Sequence, residues 1–248
     1  MDTKVTAAAG LDETVHVYKY WTPSIPAVRI FLDSELLVID DIIWAADLDV
    51  IQSALEPRRR AFKGPYQSKE TTPEVRAELE KMYAQGDRLF DELYAGLAVT
   101  KRHRSFRPMI TGPDPMHYDS IDGPMLLTAY INVAPTPRSY QIGPSLPKLI
   151  VKRRAAVMET IRECRGDLGR LSYVIRTRTE KGRPPIDAQY PRHRVEMAPG
   201  SMWFFDAKTV SHEVLYGEGV AGMSWEVPGS TLTQREHLAA HGLVATAP

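Results

Sequence analysis

The sequence predicts an α+β domain in which helices cover one face of a rolled β structure. Two observations lead there: helical periodicity is concentrated before residue 100, and short apolar runs split by Gly, Pro and Asp dominate after it. A third, the ordinary composition of 43% hydrophobic and 25% charged residues, fits a globular chain rather than a disordered or fibrous one. At 248 residues the chain is read as one domain, 1–248. That length suffices to bury about 70 to 75% of the unfolded surface.

The first fifteen residues are small and polar without periodicity and read as a loosely held terminus. VHVYKYW alternates as a strand does, and VRIFLDSELLVID is rich enough in branched apolar residues for one or two more. Asp40 and Asp41 then precede Ile42, Ile43, Ala46, Leu48, Ile51 and Leu55, whose spacing predicts a capped helix. A second helix opens with Thr72 as cap and Pro73 in its first turn. It carries Val75, Leu79, Met82, Leu89, Leu93 and Leu97 on one stripe.

Residues 100–230 form the β-rich part, with strands expected at SFRPMITG, PMLLTAYINV, LSYVIRTRT, HRVEM, SMWFFDA, SHEVLYG and AGMSWEV. A helical insertion is expected near 147–165, from Leu149, Val151, Ala155, Met158 and Ile161. Residues 1–99 supply the N-terminal strands and helices, and 231–248 a C-terminal tail.

Charge excludes some partners. The 31 Lys plus Arg balance the 31 Asp plus Glu, so no overall positive field draws nucleic acid or an anionic membrane. The clusters Arg58–Arg60 and Lys152–Arg154 read as solvated helix ends. No apolar run is long enough for a membrane span, and the N-terminal stretch does not look like a secretory signal. The lone Cys164, in a charged and partly exposed stretch, fits a reducing cytoplasm. A small-molecule substrate is expected, with no nucleic acid and no membrane partner; a homodimer is compatible with the sequence.

The chemistry is carried by histidines and a carboxylate. His117 and Asp119 stand at i and i+2, a spacing that puts both side chains on one face of a strand with Tyr118 facing away. His212, opening another strand, offers a second imidazole. Two histidines and one carboxylate leave three coordination positions free, as in non-haem Fe(II) oxygenases. Three ligands and a water would also suit catalytic zinc, and a bare His-x-Asp pair is common as a simple turn. His103 and His193 lie among arginines and are poor ligand candidates.

The surroundings of these residues resemble the iron and 2-oxoglutarate-dependent dioxygenases, in particular the prolyl-hydroxylase-like branch. The resemblance covers about residues 100–230. It rests on MLLTAYINV after the His-x-Asp pair, on the Pro-x-x-Gly turn and aromatic strand of VEMAPGSMWFFDA, and on Phe205 and Val214 flanking His212. The last part is GEGVAGMSWEV with Ser224 and Trp225. It implies a double-stranded β-helix (jelly-roll or cupin-like) core with the N-terminal helices packed on one face. It further implies Fe(II) on His117, Asp119 and His212, 2-oxoglutarate as cosubstrate, and O2.

The implied reaction is oxidative decarboxylation of 2-oxoglutarate coupled to oxidation of a metabolite or natural-product intermediate, with hydroxylation the default. Retention of Asp119 argues against halogenation. The family's usual arginine, which pairs with the cosubstrate's distal carboxylate, is here Gly222. Arg138, Arg176 and Arg178 are the candidate replacements, Arg138 and Arg176 ranked first, because a guanidinium binds a carboxylate bidentately. Thr128, Tyr130 and Ser224 are candidate hydrogen-bond donors to the cosubstrate. The alternatives are a 2-oxoglutarate-independent metal oxygenase or isomerase, and a non-catalytic ligand-binding barrel.

Overall fold

The protein is described through a computed structural model, which covers residues 4–6, 15–18, 36–59, 71–110, 114–119, 125–165, 167, 170 and 192–227. The first strands are β1 (Lys4–Thr6), β2 (Val15–Tyr18) and β3 (Leu36–Ile39), and a short helix α1 (Leu48–Gln52) follows. Next come β4 (Glu56–Arg59), the long helix α2 (Pro73–Leu93), β5 (Lys101–Arg107), β6 (Met109–Ile110) and β7 (Asp114–His117). The remainder is β8 (Met125–Asn132), β9 (Arg138–Ser145), helix α3 (Leu146–Glu163), β10 (His193–Met197), β11 (Met202–Phe205), β12 (Val210–Tyr216) and β13 (Val220–Val227).

Two sheets carry the architecture. The larger has the order β1-β2-β3-β11-β8-β13-β5 and the smaller β10-β9-β12-β7, with β4 and β6 as a separate pair. Pairing in the two sheets is antiparallel except for β2 beside β3.

Strand alternation divides the larger sheet into two buried faces. Leu36, Val38, Trp203, Phe205 and Val220 pack with Tyr140, Ile142 and Val214 of the smaller sheet. Leu37, Ile39, Leu127, Ala129, Ile131, Met202, Phe204 and Trp225 pack with Leu79, Met82, Phe90 and Leu93 of α2. Burial on both faces is why MWFF and LLVI are unbroken apolar runs instead of alternating ones.

Helix α2 starts as its sequence predicts. Thr72 Oγ1 accepts from Val75 N at 3.3 Å, and Pro73 lies in the first turn, where its missing N–H costs nothing. Its buried face approaches β13 closely: a Cβ at Gly86 would lie 2.5 Å from Met223 Sδ, and Phe90 stacks on Trp225 with centroids 4.3 Å apart. Each large apolar side chain on that face contributes roughly 1.5 to 3 kcal/mol by leaving water. Asp87 fixes the axial position, accepting from Trp225 Nε1 at 2.9 Å and pairing with Arg102 at 2.7 Å and with Arg104.

Several expectations need correction. The helix expected from Ile42 is only α1, capped by Asp47, whose carboxylate accepts from the amides of Asp49 and Val50. Asp47 and Asp49 favour a cap over a helix interior, so Ile42 to Ala46 stay outside it, and Ile43 is 91% exposed. Residues 4–6, read as part of a loose terminus, form β1 against β2. Arg58 and Arg59 belong to β4, not to a helix end. Cys164, the C-cap of α3, is buried rather than partly exposed. Burial pushes its thiol upward in pKa. The insertion helix, expected near 147–165, is α3, kinked at Arg153. Strand β9, with Gly and Pro within it, carries no strand pattern legible in the sequence. The segment LSYVIRTRT lies outside the described residues.

Candidate metal centre

Strands β7, β12 and β9 bring the two histidines together. In the β12–β7 register His212 is opposite His117, and on its other side β9 places Ile142 opposite His212. The imidazole centroids of His117 and His212 are 4.4 Å apart. Asp119 lies just past the end of β7, its Oδ1 3.7 Å from His117 Nε2. One ligand atom from each of His117, Asp119 and His212 falls within 4.8 Å of the others, a spacing at which the three could hold one ion.

The shared strand face expected for His117 and Asp119 is not how they meet. The strand ends at His117, and Tyr118 is anchored by its hydroxyl, which donates to Pro144 O at 2.8 Å. Asp119 is then fixed by its backbone, whose N–H donates to Ala207 O at 2.8 Å. That oxygen belongs to the β11–β12 turn, so one turn serves both halves of the site.

The turn is rigid for a local reason. Asp206 accepts from the amide of Lys208 at 3.0 Å and from the hydroxyl of Thr209, while its own carbonyl accepts from the amides of Thr209 and Val210. Burial pushes the Asp206 carboxyl up in pKa, opposed by the Thr209 hydroxyl, the Lys208 amide and the Lys208 ammonium. Val210 O then accepts from His212 Nδ1 at 3.0 Å. A carbonyl only accepts, so the proton is on Nδ1 and Nε2 keeps its lone pair for a cation. Phe205 packs edge-on against the same ring at 5.0 Å.

The other expected residues divide. Thr128 and Ser224 are opposite each other in the β8–β13 register, with hydroxyl oxygens 3.4 Å apart. Tyr130 faces the space between the sheets, beside Trp203 and Phe205 at 5.8 and 5.9 Å, and burial pushes its hydroxyl far up in pKa. Arg138 is 1% exposed, its guanidinium over the Tyr140 ring at 5.3 Å and Nε donating to Tyr140 Oη at 3.3 Å. Its Nη1 has no hydrogen-bond partner, and neither has the buried Nε1 of Trp203. Arg176 and Arg178 lie outside the described residues.

The sequence reading overlooked three residues. Arg107 on β5 places its guanidinium 5.9 Å from the Tyr130 ring centroid. Ser105, two positions earlier, fills the space that a side chain at Gly222 would need. Lys208, 8% exposed, lines a cavity of about 400 Å³ with His103, Ser105, Leu126, Ser224 and Glu226. Only the Asp-x-x-Thr pattern of DAKT, a turn signature between two apolar strands, marks that lysine in the sequence.

No protein-family profile and no curated protein matches the chain. Solved structures do. The Kdo hydroxylase KdoO, a non-heme Fe(II) alphaketoglutarate dependent dioxygenase, in complex with cobalt(II), superposes with a TM-score of 0.65 at 14% identity, covering 94% of this chain and 98% of that one. The same enzyme with alphaketoglutarate and Fe(III) gives 0.59 at 16% identity, covering 86% and 88%. With succinate and Fe(III) it gives 0.60 at 14%, covering 94% and 99%. At such identities the likeness is one of fold, and it extends over nearly the whole of both chains: this protein has the β-sandwich fold found in that Fe(II) dioxygenase.

Proposed function

We propose that this protein is a non-haem Fe(II)- and 2-oxoglutarate-dependent dioxygenase that oxidises, most simply hydroxylates, a small-molecule metabolite or natural-product intermediate. The observation that carries the reading is the convergence of His117, Asp119 and His212 within 4.8 Å, on a fold shared with an Fe(II) dioxygenase. The order in which the chain visits the two sheets supports reading the core as a double-stranded β-helix with the N-terminal helices packed on one face: β5 large, β7 small, β8 large, β9 and β10 small, β11 large, β12 small, β13 large. A single domain, membership of the prolyl-hydroxylase-like branch and a cytoplasmic location belong to the same proposal. None of the described helices is long and apolar enough to cross a membrane.

The donor set suits iron. Two neutral imidazoles and a carboxylate on one side of the ion leave room for a chelating cosubstrate and O2. When bound, the iron and 2-oxoglutarate supply the oxidant that takes a hydrogen atom from the substrate. The chain's own residues do the rest. Asp206 and Val210 orient Asp119 and His212 through the turn, and Phe205 shields the His212 ring from water.

Arg138 is the assigned anchor for the distal carboxylate of 2-oxoglutarate. A cation this buried is costly unless paired, and Nη1 of Arg138 together with Nε1 of Trp203 offers two donors that lack an acceptor. Tyr130, Thr128 and Ser224 supply further hydroxyls along the same inner surface. Gly222 favours the second reading, a 2-oxoglutarate-independent metal enzyme, because no cation stands at that position.

Anaerobic reconstitution with Fe(II) followed by 2-oxoglutarate separates the readings. The expected result is one iron per chain and a weak visible charge-transfer band, with the band lost in Arg138→Met and iron binding kept. Iron without the band in the wild type moves the assignment to the second reading. A folded protein that binds no iron overturns both.

A further inference from the structure

The sheet registers place another imidazole in line with the two of the candidate metal centre. His193 is opposite Ile142 across β10–β9, Ile142 is opposite His212 across β9–β12, and His212 is opposite His117 across β12–β7. Residues directly opposite one another on paired strands project from the same face of the sheet. The four therefore form one row across the smaller sheet, with His193 two strand spacings, about 10 Å, from His212. The row lies on the inner face. Ile142, Val195 and Met197 pack there with Trp203 and Phe205 of the larger sheet, and His193 shares the β10 face of Val195 and Met197, turned away from the exposed Arg194 and Glu196.

Neither the metal ligands nor the cosubstrate anchor uses this ring. It is 8% exposed, and its Nε2 is buried with no hydrogen-bond partner among the described residues. A ring nitrogen left dry and unbonded costs stability that a leucine or valine at the same place would not. The arginines that flank it in sequence have acceptors of their own: Arg192 pairs with Glu213 at 3.3 Å, and Arg194 donates to Glu196 at 2.8 Å and to Ser139 Oγ at 3.1 Å. Burial lowers the pKa of His193 and so favours the neutral ring. A neutral imidazole is a weak anchor for an anion, whereas a hydroxyl both donates and accepts and can satisfy Nε2 in either tautomer. The surface between the imidazoles is apolar: Ile142 stands between His193 and His212 in the row, and Phe205 lies edge-on to His212 at 5.0 Å.

We propose that His193 is a substrate-binding residue whose Nε2 hydrogen-bonds a hydroxyl group of the substrate, while the substrate's carbon skeleton lies along Ile142 toward the metal centre. The proposal rests on the iron-centre reading and gives it a substrate class: an alcohol or phenol with an apolar or aromatic skeleton, whose hydroxyl is remote from the carbon that is oxidised. A hydrogen bond at one end of a rigid sheet row fixes how far the skeleton extends toward the other end, and so selects which carbon is presented there. A buried nitrogen that is paired only when substrate is bound also rejects a substrate lacking the hydroxyl, because that nitrogen then stays unbonded.

The test uses the Fe(II)-loaded protein under anaerobic conditions, saturated with 2-oxoglutarate. Two pairs of neutral probes that differ only in a hydroxyl are titrated by calorimetry: 3-(4-hydroxyphenyl)propanamide against 3-phenylpropanamide, and trans-4-hydroxycyclohexanecarboxamide against cyclohexanecarboxamide. The proteins are wild type, the apolar variants His193→Leu and His193→Val, and His193→Gln, whose amide nitrogen reaches about where Nε2 stands. The expected result is that wild type binds at least one hydroxylated probe about 5- to 10-fold more tightly than its counterpart. That preference disappears in the apolar variants and is kept in part by His193→Gln. Without any probe, the apolar variants melt no earlier than wild type, which a merely structural histidine would not allow. Absence of the preference in wild type, no binding of either hydroxylated probe, or a preference unchanged in the apolar variants overturns the proposal. Iron content and the charge-transfer band are read on the same samples: wild type lacking either marks failure of the iron-centre reading, whereas wild type with both and no hydroxyl preference marks failure of this one.

Discussion

Gly222 on β13 stands opposite Ser105 on β5, and a methyl group added at Gly222 would run into the Ser105 hydroxyl and come within 3.3 Å of the Tyr130 ring. A side chain at this position, where the family that the sequence resembles carries an arginine, thus requires the Ser105 hydroxyl to move. Gly222→Ala is expected to cost about 1 to 3 kcal/mol by overpacking, and the double variant Ser105→Gly, Gly222→Ala to recover most of it. Denaturant unfolding of the two variants checks this. An unchanged midpoint in Gly222→Ala would show that the wall yields.

Arg138 makes the opposite prediction for stability and for binding. Replacing a buried, incompletely bonded guanidinium by an apolar side chain is often neutral or stabilising, so Arg138→Met is expected to melt no earlier than wild type in the absence of cosubstrate. The stabilisation that 2-oxoglutarate confers on the iron-loaded protein should vanish in the same variant. Thermal melts with and without 2-oxoglutarate read both effects.

The Asp206 turn braces the candidate metal centre without offering it a ligand: Ala207 in the same turn holds the Asp119 amide and Val210 holds the His212 ring. Asp206→Ala removes the acceptor for the Lys208 amide and the Thr209 hydroxyl and is expected to lower Fe(II) affinity by roughly 10- to 100-fold. Asp206→Asn, which keeps one acceptor oxygen, should recover part of it. Competition with a chromogenic chelator measures the difference; equal affinity in Asp206→Ala and wild type would remove the turn from the argument.

Asp87 ties α2 to the sheet by bonds to Trp225, Arg102 and Arg104. Asp87→Ala leaves the indole N–H and the guanidinium of Arg104 short of an acceptor and should cost about 2 to 4 kcal/mol. Iron stoichiometry should stay at wild type, because the helix contacts the sheet face opposite the centre. Urea denaturation with parallel iron analysis tests both halves.

His193 gives stability a pH dependence. Burial on β10 lowers its pKa, and its Nε2 has no hydrogen-bond partner. The folded state therefore holds the neutral ring, while the unfolded chain takes up a proton below about pH 6.5. Its stabilising effect is full above the unfolded pKa and is lost as pH falls through the folded one. His193→Gln should flatten the fall in stability below about pH 6.5, measured by denaturant midpoints on the acid side of that value. A slope equal to wild type would exclude the histidine.

The sequence by itself determined the elements whose signals are local. The cap Thr72 with Pro73, the apolar stripe of α2, the aromatic run of β11 and the short strands after residue 100 depend on neighbours within a turn or a pleat, and they are legible for that reason. The types and order of His117, Asp119 and His212 were equally visible, because coordination chemistry restricts which side chains can serve.

What only the tertiary structure decided depends on segments far apart in the chain. Opposing registers across β12–β7 bring the imidazoles together, and the Ala207 carbonyl, not a shared strand face, positions Asp119. Ser105 crowds the Gly222 position from another strand, and Arg138 is buried with its guanidinium over the Tyr140 ring and against Gly217, while Tyr140 itself packs on Trp203 of another strand. Such contacts have no periodicity to betray them: a residue's pattern records which face it presents, but what stands opposite that face is fixed only when the sheets pack.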